Sequence, residues 1–312
     1  MTTSKKILAL FPGQGSQKVG MGGDLVKNSD IANELFSRAD KALDLSLSKL
    51  CLEGPMEQLT STEIAQPAIL TVSVISFEMA RSAIDGAAEI VCGAGHSLGE
   101  YSALVATGAL KFEDAVQLVN KRGRYMQEAV ASGAGRMVAV LGREVADIEQ
   151  AISQVTAGPA EIANINAPGQ IVVSGSKEGI EQFTSILGGK IIELQVSAPF
   201  HCSLMRPAAE SLAKDLDQIS ISSGTFPVIS NVDAKATDTP QAIREALKRQ
   251  VCGRVRWVES MQEAVKTYNP TCSVEFGFGN VLTGLMKRID NSIPRIECGT
   301  NDQITALREA LK

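Results

Sequence analysis

A chain of 312 residues that is 44% hydrophobic can bury one large core, or a core with a smaller satellite, and is no disordered tail. A formal charge of -5 and 4% aromatic residues supply neither the basic footprint nor the stacking platforms of a nucleic-acid binder, and no apolar run is expected to reach membrane-spanning length. The apolar run after Lys5 and Lys6 is too short for a signal-peptide core, and the six cysteines form no Cys-x-x-Cys pair for zinc. A protein of the reducing cytoplasm that handles small molecules is expected.

Residues 6–11 read as a short strand ending in Pro12-Gly13-Gln14-Gly15-Ser16-Gln17. The glycines fit neither a dinucleotide loop nor a phosphate loop. What remains is a loosened loop whose N–H groups can face an oxygen, as in an oxyanion hole, or a plain strand-to-helix connection. Residues 30–50 and 56–59 are expected to be helical, followed by an apolar helix or helix pair over 66–80 with Pro67 as an early-turn residue.

Next comes a short apolar run at 89–92, then Gly95-His96-Ser97-Leu98-Gly99, then a helical stripe of Leu98, Tyr101, Leu104 and Val105. Strand, tight turn and helix together suit a nucleophile: the glycines permit a strained backbone and close packing, and the Ser97 hydroxyl stands clear at a helix N-terminus. Ser97 is therefore expected to be acylated. His96 is expected to point away from the nucleophile, toward the sheet or the cleft wall, or simply to pack. The helix expected over 112–130 carries Arg122 and Met126 on its apolar stripe with Leu118 and Tyr125. An inward guanidinium is costly unless an anion meets it. A substrate carboxylate would do so with two-pronged geometry; an internal acid, or snorkelling to water, are the alternatives.

Between 136 and 196 the rhythm becomes β-α-β-β-α-β, the ferredoxin-like pattern, which marks 132–198 as a subdomain inserted in an α/β core formed by 1–131 and 199–312. A cleft should form where they meet. Directly after it, His201 stands in a loop ahead of a helix, where the base for a serine nucleophile is expected. No aspartate between Ser97 and His201 sits at an obvious strand end, so the histidine should be oriented by a backbone carbonyl or an amide. The remainder alternates strand and helix, with strands at 226–230, 272–276 and 293–296 and helices at 240–250, 258–267, 281–288 and the C-terminus.

Phe11-Pro12-Gly13-Gln14-Gly15-Ser16-Gln17, Gly95-His96-Ser97-Leu98-Gly99-Glu100-Tyr101, Lys121-Arg122-Gly123 and Pro199-Phe200-His201 occur in that order. In this the chain resembles, over essentially its whole length, the malonyl-CoA:acyl carrier protein transacylases of fatty acid synthesis. The resemblance implies an α/β-hydrolase-like core with a parallel sheet plus the inserted ferredoxin-like subdomain. It implies transfer of malonyl from malonyl-CoA to the phosphopantetheine thiol of acyl carrier protein through a malonyl-serine. A cytoplasmic monomer that uses no cofactor or metal and binds no nucleic acid or membrane is expected. By resemblance Ser97 is the nucleophile and His201 the base. The backbone N–H groups of Gln14 and Leu98 form the oxyanion hole, and the Gln250 main-chain carbonyl orients His201. Arg122 clamps the malonyl carboxylate, Phe200 crowds out a branched methylmalonyl group, and Met126 completes the substrate-binding set. Two stretches depart from the family: Cys252-Gly253-Arg254 follows Gln250, and Gly277-Phe278-Gly279-Asn280 stands where the family has Gly-Pro-Gly-Lys, so no role is carried over from that lysine. A serine hydrolase, which would pass the acyl group to water, and a non-catalytic carrier-docking protein remain as rivals. For an acidic carrier protein, Lys121, Arg124, Lys248, Arg249, Lys287 and Arg288 are either a docking patch or ordinary solvated surface.

Overall fold

The computed structural model describes residues 4–27 and 29–312; the first three residues of the 1–131 segment, and residue 28, lie outside the described residues. Ten strands run in chain order as β1 (Lys5–Phe11), β2 (Ala88–Gly95), β3 (Gly135–Leu141), β4 (Ala160–Ala167), β5 (Gln170–Ser176), β6 (Lys190–Glu193), β7 (Val228–Ile229), β8 (Ala236–Thr237), β9 (Cys272–Phe276) and β10 (Arg295–Cys298). Six of them form one sheet in the order β10-β9-β1-β2-β7-β8, parallel except for the β7–β8 edge pair. Its central strands are nearly unbroken apolar runs because helices cover both faces. Ile7, Ala9 and Phe11 point into a core with Phe77 and Phe276, while Leu8 and Leu10 point the other way onto Trp257, Met261 and Met286.

The longest helix, Thr62–Ile84, starts a turn earlier than its apolar pattern predicts, which places Pro67 inside it. A proline there cannot bond the Glu63 carbonyl four residues back. Asn120 donates to that carbonyl instead, Nδ2 to O 2.8 Å. That helix meets Phe112–Glu128, which carries Asn120, closely at Gly123, where a Cβ would lie 2.5 Å from the Thr62 carbonyl oxygen. Contrary to expectation, Thr62–Ile84 is long and apolar enough to cross a membrane by length and composition; most of it is buried inside this fold, where it serves as the central core helix.

Other boundaries also differ from the sequence pattern, among them the expected 226–230 strand, which is reduced to Val228–Ile229. The helix expected over 30–50 stops at Leu43, Asp44 turns left-handed with φ 50°, and a second helix covers Leu47–Glu53. The Asp40 carboxylate supports the break by accepting from the Ser48 N–H at 2.8 Å and its hydroxyl at 2.5 Å. Strand β10 begins two residues later than expected, just past Pro294, which has no N–H to give to the ladder.

The second sheet has the order β4-β5-β3-β6 with every pair antiparallel. Helices Val145–Ile152 and Lys177–Leu187 cover one face through Ile148, Ile180 and Phe183, which meet Val140, Ile162 and Val173. The order of elements and of strands is ferredoxin-like. Strand β4 is sewn to the larger unit by Val255, whose N–H donates to the Ala163 carbonyl at 2.8 Å and whose carbonyl accepts from Ile165 at 3.0 Å. Strand β6 ends at Glu193, and residues 194–197 leave the sheet to line the cleft between the two units.

Candidate active site

Strand β2 and helix Gly99–Ala106 are joined by a turn so tight that its glycines cannot be replaced without moving backbone. A Cβ on Gly95 would lie 1.9 Å from the Gly99 carbonyl carbon, and one on Gly99 would lie 2.0 Å from the Phe11 carbonyl oxygen. Between them Ser97 has φ 51°, a left-handed conformation that costs a non-glycine residue about 1–3 kcal/mol unless its surroundings hold it. Here they do. Asn231, at the end of β7, accepts from the Ser97 N–H at 2.7 Å and donates to the Gly95 carbonyl at 2.7 Å. The Gln250 side-chain amide donates to the Ser97 carbonyl at 2.9 Å.

The Ser97 hydroxyl stands 2.7 Å from His201 Nε2. His201 is buried and also left-handed, with φ 59°. Its Nδ1 faces the carbonyls of Gln250 at 3.0 Å and Gly253 at 3.1 Å, so that nitrogen carries the proton and Nε2 is left as an acceptor. Burial, reinforced by the nearby Arg122 charge, pushes the imidazole down to about 3, which keeps it neutral.

Arg122 approaches the same hydroxyl from the other side. The guanidinium is 1% exposed and makes no ion pair among the described residues. Its Nη1 donates to Gln66 Oε1 at 2.7 Å, and its Nη2 to Ser97 Oγ at 3.0 Å and Gln250 Oε1 at 2.9 Å. It lies 5.5 Å from the centre of the Tyr101 ring, and its Nε has no partner among the described residues. A buried cation touching only neutral acceptors suits an incoming anion.

These groups face a cavity of about 320 Å³ that is also lined by Gln14, Leu98, Met126 and Phe200. No residue engages the N–H of Gln14 or of Leu98 among the described residues, and the latter lies at the start of a helix, where dipoles favour negative charge. Gln250 does not line the cavity but stands behind His201 and Arg122. His96 lines the wall, its Nε2 2.8 Å from Asn166 Oδ1 on β4 and its ring 5.4 Å from Trp257. Of the cations considered for docking, Lys121, Lys248 and Arg249 are already paired, with Asp215, Asp217 and Asp233 respectively.

Sequence reasoning missed Gln66, Glu100, Asn231 and the side chain of Gln250. Glu100 is 2% exposed and accepts from Gln250 Nε2 at 2.8 Å and the Asn231 N–H at 3.0 Å. The one available signal was positional: Asn231 follows the strand next to β2 at the carboxyl edge of the sheet, where α/β sites are built.

Residues 9–289 match the acyl transferase domain family. The chain is 42% identical to the malonyl CoA-acyl carrier protein transacylase of Bacillus subtilis strain 168 over 98% of both chains. It is 43% identical to the Escherichia coli K12 protein of the same name over 91% of this chain and 93% of the other. The solved malonyl CoA-acyl carrier protein transacylase of Coxiella burnetii superimposes with a TM-score of 0.95 at 39% identity, covering 100% of this chain and 99% of that one. A malonyl-transacylase solved in complex with a type II PKS acyl-carrier protein gives 0.93 at 37%, covering 98% and 99%.

Proposed function

This chain belongs to the acyl transferase domain family, and on that premise we propose that its cleft moves a malonyl group from malonyl-CoA to the phosphopantetheine thiol of acyl carrier protein in two half-reactions through Ser97. The observation that carries the reading is that one atom, Ser97 Oγ, lies within hydrogen-bond reach of both His201 Nε2 and Arg122 Nη2. In a malonyl thioester the free carboxylate is two bonds from the carbon to be attacked. An anchor for it must therefore stand beside the nucleophile, as Arg122 does.

In the first half-reaction Ser97 Oγ attacks the thioester carbon while His201 Nε2 takes its proton. The negative charge that develops on the carbonyl oxygen falls to the free N–H groups of Gln14 and Leu98, each such donor typically contributing about 3 kcal/mol. When the tetrahedral adduct collapses, the C–S bond breaks and His201 returns the proton to the sulfur of CoA. The carrier thiol then repeats the sequence on the malonyl-serine ester and regenerates the hydroxyl. Phe200 and Met126 wall the acyl pocket, with Phe200 opposing a branch on the acyl chain. Every step uses protein groups and substrate atoms, so no cofactor or metal is called for. The site is complete within one chain, in keeping with a monomer, and the six cysteines are unpaired, in keeping with the cytoplasm.

The intact mass of the protein after brief exposure to malonyl-CoA tests the scheme. A gain of one malonyl group, transferred intact when holo acyl carrier protein is added, is the expected result. An adduct lost to water equally fast with and without carrier makes the protein a hydrolase, and no adduct makes it a binding protein.

Because His201 is held neutral far below the ordinary imidazole range, the single-turnover acylation rate at saturating malonyl-CoA should stay level from about pH 8 down to about 5. A decline centred near the usual histidine value would show that His201 titrates freely in the complex.

A further inference from the structure

Glu100 is the one buried charge near the nucleophile to which the transfer scheme gives no task. It lies in the first turn of helix Gly99–Ala106, three residues after Ser97, with its side chain turned inward. One amide separates it from Arg122: Gln250 Nε2 donates to Glu100 at 2.8 Å while Gln250 Oε1 accepts from Arg122 at 2.9 Å. Neither charge has a direct ionic partner among the described residues. Two opposite charges are thus buried in the same small volume and relayed by a neutral group, an arrangement tolerable only because each offsets the other.

A carboxylated acyl group changes this balance. With the site empty, or holding an uncharged acyl chain, Glu100 is the carboxylate among the described residues that acts on the guanidinium. Once a second carboxylate lies on Arg122, two anions share one cation. We propose that Glu100 is a specificity-determining residue, the counter-charge of Arg122, which when ionised steadies the guanidinium without a bound carboxylate and thereby limits the preference for carboxylated over uncharged acyl groups. This deepens the malonyl-transfer reading and rests on it.

The charge on Glu100 is adjustable. Burial raises it to about 7, against the pull of the Gln250 and Asn231 donors and of Arg122. The other ionisable groups that reach it are Asp233, beyond β7, which raises it further, Arg249 at the end of helix Pro240–Gln250, and Tyr101 on its own helix. Arg249 is half exposed and bound to Asp233, and the core helix Thr62–Ile84 contributes only the neutral Gln66 to this cluster. A carboxyl in this range takes up a proton as the pH falls through neutrality, and the proton removes the counter-charge.

The experiment compares transfer from malonyl-CoA and from acetyl-CoA, as the ratio of kcat/KM, in the wild type and in Glu100→Gln. Glutamine keeps the shape and an oxygen that can accept from Gln250 and Asn231, and loses only the charge. The CoA phosphates titrate alike in both substrates and cancel in the ratio. The malonyl-to-acetyl ratio should rise about fivefold in Glu100→Gln, the lower end of couplings between linked sites, with the gain in KM for malonyl-CoA. In the wild type the ratio should rise as the pH falls from about 8 to about 6, and in the variant it should stay flat. Free malonate should also raise the melting temperature of the variant more than that of the wild type. An unchanged or lower ratio in a folded variant overturns the proposal. If Glu100→Gln does not fold, the wild-type pH series decides alone: a rise supports the proposal and a level ratio overturns it. Failure of the transfer reading looks different, since the wild type would then form no malonyl adduct at any pH.

Discussion

Alanine at position 97 should leave the protein folded and remove the acyl-enzyme, with no mass gain from malonyl-CoA and transfer to acyl carrier protein reduced at least about 10⁴-fold. Loss of an activated serine in a comparable constellation costs about 10⁶-fold, because binding and oxyanion stabilisation cannot replace the covalent step. The backbone should tolerate the change. Position 97 is held in its left-handed conformation by Asn231 on its N–H and by Gln250 on its carbonyl, and neither contact uses the hydroxyl. What the hydroxyl does hold is the common hydrogen bond of His201 and Arg122, which its removal leaves without a shared partner. A small loss of melting temperature is therefore expected beside a total loss of adduct. A malonyl adduct on Ser97→Ala would place the acyl group on another residue and end the scheme.

Ser97 was legible because a strained turn needs small residues within a five-residue window, and the steric cost at Gly95 and Gly99 is local. Arg122 was legible because a guanidinium in an apolar helical stripe contradicts its surroundings. The alternation of elements in 136–196 carried the ferredoxin-like pattern for the same kind of reason: strand and helix periods are short-range signals. Gln66, Asn231 and the side chain of Gln250 were not legible. Each is an ordinary polar residue in its own segment, and its meaning lies in contacts spanning 56, 134 and 153 positions. Glu100 was not legible either, since nothing in its own segment shows that this acid in the first turn of a helix is turned inward. The two helix-boundary errors share a cause in side-chain contacts. The break after Leu43 depends on how the Asp40 carboxylate is placed, and a proline within Thr62–Ile84 is acceptable only because a side chain 57 positions away satisfies the freed carbonyl.

Arg122→Ala should divide the two halves of the specificity. Truncating one partner of a buried, hydrogen-bonded charge pair costs about 2–5 kcal/mol, so malonyl transfer should fall by roughly 30- to 4,000-fold in kcat/KM. Transfer of an uncharged acetyl group, which makes no use of the guanidinium, should be spared or improved. Equal losses for both substrates would mean that Arg122 supports the Ser97 hydroxyl rather than the acyl carboxylate. The same variant has a second signature in its stability. The Arg122 charge draws Glu100 down from the level that burial alone would set, so removing it must push that carboxyl higher. A carboxyl whose folded-state value exceeds its unfolded one holds a proton that unfolding releases, and stability is lost as the pH rises through the window between the two. In the wild type that window runs from the ordinary glutamate value to about 7; in Arg122→Ala it extends upward. The stability deficit of the variant should accordingly widen between about pH 6 and 9, measured as the difference in urea midpoints, and a deficit independent of pH would show that Glu100 does not sense the guanidinium.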